Sequence, residues 1–192
     1  LVLNAITPKT RAVFLTHILG LNGLTDELLT GLKESGVPLI EDVCESHGTT
    51  HNDIKVGSFG WASNFSFYYA HHMTTIEGGI VSTNDDDLYD VLRMMRSHGL
   101  VRESLDTKTR ARYMSNYPDL NPDFIFAFAS HNMRPTELNG LLGLEQLKRL
   151  DSNNLVRTRN FRHFLSVLNS DVFQTDFKFE GSSNYAFTLV LN

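Results

Sequence analysis

The chain has 192 residues, 41% of them apolar and 20% charged, which is enough for one sizeable core and near the globular average. These figures exclude a disordered tail and a collagen, and the single cysteine, Cys44, excludes an internal disulfide and a multi-cysteine metal or iron–sulfur site. With 22 acids against 17 bases the net charge is −5, and no basic cluster is present to grip the phosphates of a nucleic acid. No apolar run approaches the roughly 18–20 residues of a membrane-spanning helix, and the lone cysteine suits a reducing cytoplasm, which is the expected setting.

Taken in order, Ala12–His17 (AVFLTH) is a short β-rich apolar run and predicts a buried strand. Thr25-Asp26 opens a helical pattern through Ser35, with Leu28, Leu29 and Leu32 on one face and Gly36 as its stop. Pro38–Asp42 (PLIED) predicts the next strand, and this strand–helix–strand order points to a βαβ unit and a parallel sheet. Gly48–Gly60 is polar and turn-rich, while Asn64–Tyr68 and Gly78–Ser82 predict two further strands. Asn84-Asp85 caps a helix to about Ser97, with acids in its first turn and Arg93 and Arg96 in its last, the order that suits the helix dipole.

From Gly99 to about His131 no clear period is visible, and so long a loop is expected to be functional or mobile. Pro135-Thr136-Glu137 begins a strong amphipathic helix, and a second helix is expected over roughly Asn154–Leu168. The tail from Val172 has strand character and reads as the start of a smaller domain. The apolar start at Leu1 and the strand-like finish suggest a piece of a longer protein.

In open α/β sheets, ligands bind beyond the carboxyl ends of the strands. The residues to watch are therefore His17, Asp42 with Glu45 and His47, Ser66 with the following Tyr-Tyr-Ala-His-His, and Glu77-Gly78-Gly79. A carboxylate such as Asp42, at the end of an apolar strand, needs a cationic or donor partner. A protonated ring nitrogen of a cofactor would serve, and so would a helix cap or an internal salt bridge. His71 and His72 are sequence neighbours, whose side chains face opposite ways in extended chain, so one of them at most is expected in a site. Ser66 has the hydroxyl to donate to a phosphate, and Arg102 and Arg134 suit an anionic substrate. The eight histidines lack a helical His-x-x-x-His or His-Glu-x-x-His spacing, and no metal site is expected.

Several strings resemble one family in its own order. These are ITPKTRAVFLTH (Ile6–His17), PLIEDVCESHG (Pro38–Gly48), KVGSFGWASNFSFYYAHH (Lys55–His72), EGGIVSTND (Glu77–Asp85), LRMMRSHG (Leu92–Gly99) and NMRPTELNGLLGLEQLKRLD (Asn132–Asp151). They resemble the DegT/DnrJ/EryC1/StrS sugar aminotransferases, fold-type I pyridoxal-phosphate enzymes. The resemblance implies an α/β fold: a mainly parallel sheet flanked by helices, and the start of a small C-terminal α+β domain. It divides the chain into residues 1–151, part of the cofactor-binding large domain, and 152–192, a connecting helix and the beginning of the small domain. The family's phosphate loop and ring-stacking aromatic would precede Leu1. Asp42 would pair with the pyridine nitrogen, Glu45 would lie near the ring where most relatives have Gln, and Ser66 would bind the cofactor phosphate. Asn132 would reach the phosphate of a neighbouring subunit, because the family builds shared active sites in a homodimer.

One departure governs the rest of the resemblance. Ordinary members carry a lysine after the FSFY-like strand and hold the cofactor on it as an imine. Here His71 aligns with that lysine, and no lysine stands between Lys55 and Lys108. Imidazole forms no stable imine, so pyridoxamine or pyridoxal phosphate would sit noncovalently, while imidazole remains a good proton carrier near neutral pH. This pattern resembles the 3-dehydratase branch, which acts on nucleotide-activated 4-keto-6-deoxy sugars in deoxysugar and O-antigen biosynthesis. By that likeness His71 would take a proton from the cofactor's C4′ carbon, His98 would be a second acid/base near the departing C3 hydroxyl, and Arg102 and Arg134 would contact a nucleotide diphosphate or a glutamate carboxylate. The branch has an iron–sulfur type on four cysteines, which no cysteine after Cys44 supports. The other type, GDP-4-keto-6-deoxymannose 3-dehydratase-like, regenerates its amine from L-glutamate and is the expectation. An ordinary sugar aminotransferase and a non-catalytic homologue are the alternatives.

Overall fold

The structure is a computed structural model and describes residues 1–192. The expected βαβ unit is present. Strand β1 (Val13–Thr16) leads through a short 3-10 turn (Ile18–Gly20) to helix α1 (Asp26–Ser35), and strand β2 (Leu39–Asp42) returns parallel to β1. Thr25 caps α1 by accepting the Leu28 N–H, and Gly36 ends it at φ 65°, a left-handed conformation glycine adopts without steric cost. Leu28 and Leu32 are buried against Leu24, Leu39, Val43 and Val56, so the apolar face read from the sequence is the face that packs. Residues 48–60, expected as turns, also hold a small hairpin of β3 (Thr50–His51) and β4 (Ile54–Lys55). Strand β5 (Ala62–Ser66) pairs parallel with β2, and β6 (Gly79–Thr83) completes a sheet of order β1-β2-β5-β6.

The chain divides into two compact units, residues 1–82 with 137–192 and residues 83–136. The first contains the sheet and a single 30-residue helix, labelled α4 below (Glu137–Ser166). Two helices were expected there. The polar run Asp151-Ser152-Asn153-Asn154 reads as a break, but three of its four side chains are exposed and the helical backbone passes through. The tail forms no extended strand beyond a Phe173–Leu191 bridge, closed by Gln174 N–H to Val190 O at 2.8 Å and Asn192 N–H to Val172 O at 3.0 Å.

The second unit contains α2 (Asp86–Met95), capped by Asp85, and α3 (Thr107–Asn116), which lies inside the stretch expected to be irregular. Helix α3 buries no residue, so it has no apolar period to detect. Asp106 begins it by accepting from the Lys108 and Thr109 N–H groups. Asp90 holds the segment before it, accepting from the Ser104 hydroxyl and the Leu105 N–H, each at 2.6 Å. After that helix come a 3-10 turn (Pro122–Phe124) and an antiparallel bridge between Ser97 and Asn132.

Candidate active site

Three parallel strands end in one row. The register places Thr16 beside Asp42 and Asp42 beside Asn64. The Asn64 amide donates to Asp42 Oδ1 at 2.9 Å, the Cys44 N–H donates to the same oxygen at 3.1 Å, and the Thr16 hydroxyl reaches Oδ2 at 3.4 Å. Burial alone would raise the Asp42 pKa, but these donors outweigh it and hold the carboxyl below its ordinary value. Cys44 is driven the other way: burial, then the neighbouring carboxylate, push its thiol up to about 12, so it stays protonated. Asp42 is thus an ionised, oriented carboxylate at the carboxyl end of a parallel sheet.

The residue before it faces the opposite side of the strand. Glu41 is fully buried and accepts from the N–H groups of Gly57, Phe59 and Gly60 at 2.7–2.8 Å and from His17 Nε2 at 3.2 Å. His17 Nδ1 accepts the Gly23 N–H at 3.1 Å, which leaves the ring proton on Nε2 for Glu41. His17, one of the residues the strand-end rule singled out, is therefore part of an internal clamp that fixes the loop before β5. Glu45 also bonds backbone, with Oε2 accepting the Leu19 N–H at 2.9 Å.

His71 sits in a turn beyond β5. Its Nδ1 lies 3.3 Å from the Ser66 carbonyl oxygen. A carbonyl only accepts, so the neutral ring carries its proton on Nδ1 and keeps the Nε2 lone pair for a base. The Ser66 hydroxyl oxygen accepts from Tyr68 N–H at 3.3 Å, which leaves its own hydrogen to donate to an anion. His47, from the Glu-Ser-His-Gly run after β2, is 3% exposed and neither ring nitrogen has a partner. Burial, then the nearby His72 and His71, lower its pKa to about 4, so it is neutral at pH 7. His72 lies in the same bend, and its ring, like that of His71, packs against His47 and Tyr185, while its Nε2 donates to the Ser183 carbonyl at 3.0 Å.

The residues from the second unit form their own group. Asn132 Oδ1 accepts from Arg134 Nε at 3.0 Å, and the His98 N–H donates to His131 O at 2.7 Å across the same bridge. His98 has φ 64° with its side chain exposed, a left-handed conformation that is costly for a residue with a Cβ, and with Gly99 it makes the turn between the bridged residues Ser97 and Leu100. Arg102 is engaged within the unit, donating to Asp123 O at 3.3 Å, pairing with Glu103 at 3.8 Å and lying over the Phe124 ring. Tyr185 has no motif around it, and only the fold brings it to 5.5 Å from the His71 ring.

The first unit's residues fit an untethered pyridine cofactor. An ionised carboxylate matches a protonated ring nitrogen, a serine hydroxyl with a free hydrogen matches a phosphate, and the nearest lysine in sequence, Lys55, is engaged by Gly48 O at 3.1 Å and Asp151 at 3.8 Å. The strand order, the parallel pairing and the flanking helices make this an α/β fold of the fold-type I transferase kind. The DegT/DnrJ/EryC1/StrS aminotransferase family profile matches residues 1–191, and the chain belongs to that family. Among curated relatives, GDP-4-keto-6-deoxy-D-mannose 3-dehydratase of Escherichia coli O55:H7 is 35% identical over 84% of this chain and 41% of its own. The enzyme of that name from Yersinia pseudotuberculosis is 32% identical over 98% of this chain and 48% of its own. A solved E. coli GDP-4-keto-6-deoxy-D-mannose-3-dehydratase with bound hydrated PLP superposes with a TM-score of 0.82 at 29% identity, covering all of this chain and 49% of that one. The chain thus spans less than half the length of the curated relatives named. No helix is long and apolar enough to cross a membrane.

Proposed function

We propose that the protein to which this chain belongs removes the C3 hydroxyl of a GDP-linked 4-keto-6-deoxy sugar, using noncovalent pyridoxamine phosphate renewed from L-glutamate. The single observation that carries this reading is His71. Its Nδ1 lies 3.3 Å from Ser66 O, which leaves Nε2 to act as a base, and by the resemblance of NFSFYYAHH it takes the place of the lysine on which the family holds its cofactor. The bound cofactor would supply an amine for the sugar's ketone and a ring that accepts electrons. The ionised Asp42 carboxylate would keep the ring nitrogen protonated, and the Ser66 hydroxyl would donate to the cofactor phosphate. Glu45, which fixes Leu19 by accepting its N–H, would lie near the cofactor ring. His71 takes the reaction's proton at Nε2, and His98 protonates the departing hydroxyl. Arg134 and Arg102 bind the diphosphate of the nucleotide or the glutamate carboxylate, and Asn132 serves the phosphate of a partner subunit in a homodimer. Residues 1–151 belong to the large domain and 152–192 lead into the small one, in a cytoplasmic enzyme.

The test uses the full-length protein with pyridoxamine phosphate, GDP-4-keto-6-deoxymannose and glutamate. The expected product is a keto sugar nucleotide lighter by one oxygen atom, with one 2-oxoglutarate and one ammonia formed per turnover. A 4-amino sugar nucleotide would establish transamination instead. Intact mass after borohydride reduction, with pyridoxal phosphate present, is expected to show no lysine adduct, and such an adduct would overturn the reading.

A further inference from the structure

The ring of His71 has one hydrogen bond, and at 3.3 Å it is long. A proton carrier needs a fixed direction, so the remaining restraint must come from packing. Tyr68 meets the ring edge-on at 5.4 Å, and Tyr185 meets it edge-on at 5.5 Å and 71°. His47 closes a third side at 6.5 Å. Tyr68 and His47 belong to the strand-end loops, but Tyr185 comes from more than a hundred residues away.

The segment bearing Tyr185 is fastened on every side. Its N–H donates to Leu19 O at 2.9 Å, and its own carbonyl accepts from Arg157 at 3.0 Å. The Ser183 N–H donates to Gly20 O at 3.0 Å, the Ser183 hydroxyl meets that of Thr49 at 2.8 Å, and the Ser183 carbonyl accepts from His72 Nε2 at 3.0 Å. Ser183, Asn184 and His72 are all at least 95% buried, and Asn184 holds φ 28°. Leu19, which receives Tyr185, is itself held by Glu45.

We infer that Tyr185 and His72 are positioning residues for His71: Tyr185 fixes the direction of its imidazole, and His72 fixes Tyr185. Both adjacent histidines lie against the Tyr185 ring, at 5.5 and 5.7 Å, but His72 alone ties down the chain that bears it, through the Ser183 carbonyl. This inference rests on the proposed role of His71 as the proton carrier.

The test compares Tyr185→Ala, Tyr185→Phe, His72→Leu and His72→Gln in the full-length protein. Displacement of a reacting group by a fraction of an ångström to one ångström predicts a kcat loss of about tenfold to a hundredfold in Tyr185→Ala with KM little changed. Tyr185→Phe keeps the ring and is expected within about threefold of the parent, and His72→Gln keeps a donor and recovers most of what His72→Leu loses. Because His72 acts through Tyr185, the double variant His72→Leu/Tyr185→Ala is expected to be no slower than Tyr185→Ala alone. Nitrogen-15 spectra of histidine-labelled, cofactor-free protein give a readout apart from turnover. His71 is expected as a single Nδ1–H form in the parent and as an averaged pair of tautomers in Tyr185→Ala. Parental kcat and an unchanged His71 signal in Tyr185→Ala would overturn the inference, and that variant alters a half-buried side chain, so it decides the matter even if His72→Leu does not fold. An aminated product from the parent enzyme would defeat the proposed function, whereas the nitrogen-15 comparison would still decide whether Tyr185 orients His71.

Discussion

The side-chain amide of Asn64 donates to Oδ1 of Asp42 at 2.9 Å, across two parallel strands in exact register opposition. A hydrogen bond to an ionised group contributes about 1.5–3 kcal/mol, and this one is among the donors that hold the Asp42 carboxyl below its ordinary pKa against the effect of burial. Asn64→Leu is therefore expected to raise the Asp42 pKa and weaken pyridoxamine phosphate binding by about tenfold at neutral pH. Binding should also fail at a higher pH than in the parent as the solution is acidified, because the carboxyl then takes up its proton earlier. Fluorescence titration of the cofactor across pH 4–8 checks both, and an affinity equal to the parent's at every pH would remove Asp42 from the cofactor site.

Glu41 carries the stability of the same strand. Its four donors, His17 among them, overcome the burial that would raise its pKa and bring it below the ordinary value. A depressed carboxylate contributes stability above its unfolded pKa of about 4.3, and that contribution is lost as pH falls through the folded value. Glu41→Leu strands three loop N–H groups and the buried His17, and is expected to cost about 3–5 kcal/mol in urea unfolding at pH 7. Glu41→Gln keeps an acceptor and should cost less. The gap between parent and Glu41→Gln is expected to narrow as the pH is lowered toward 3.

These two carboxylates show what a sequence makes legible. The end of an apolar strand makes the position of Asp42 legible, and β2 ends there with Asn64 beside it. Glu41 is not legible, because nothing in PLIED says that the loop from Gly57 to Gly60 folds back to bond it. The helix over Asp26–Ser35 was readable from its cap, leucine face and glycine stop, since all three signals are local. Helix α3 was not, because an exposed helix has no hydrophobic period. The continuity of α4 was hidden by a polar run that helix-forming neighbours carry through. Tyr185 and Ser183 could not be placed by any spacing rule, for their relation to His71 and His72 exists only after the chain has closed across more than a hundred residues.

The backbone of His98 gives a prediction in which stability and function part company. A left-handed residue with a Cβ costs about 1–2 kcal/mol, some of which glycine's greater unfolded-state freedom cancels. His98→Gly is expected to be as stable as the parent or up to about 1 kcal/mol more stable, while dehydration by the full-length protein falls by about a hundredfold. The next residue behaves oppositely: a Cβ on Gly99, at φ 80°, would run into the backbone of Phe128, so Gly99→Ala should lose more than about 1 kcal/mol. Thermal unfolding of both variants beside an activity measurement separates the two effects, and a His98→Gly variant with full activity would assign the left-handed turn to folding alone.

His71→Lys returns the amine that the rest of the family uses and should convert one chemistry into another. A lysine in that turn has four carbons of reach, and its ring neighbour His47 is neutral at pH 7. It is expected to bond covalently to pyridoxal phosphate, so that borohydride fixes one cofactor per chain in the full-length protein, where the parent fixes none. Dehydration is expected to fall by at least about a hundredfold, the contribution of a positioned proton carrier. The two readouts check each other. A variant that gains the adduct and loses dehydration has exchanged a free imidazole base for a tether at the same place. A variant that gains no adduct puts position 71 out of reach of the cofactor aldehyde, and one that gains the adduct yet dehydrates at the parental rate transfers the proton to another group.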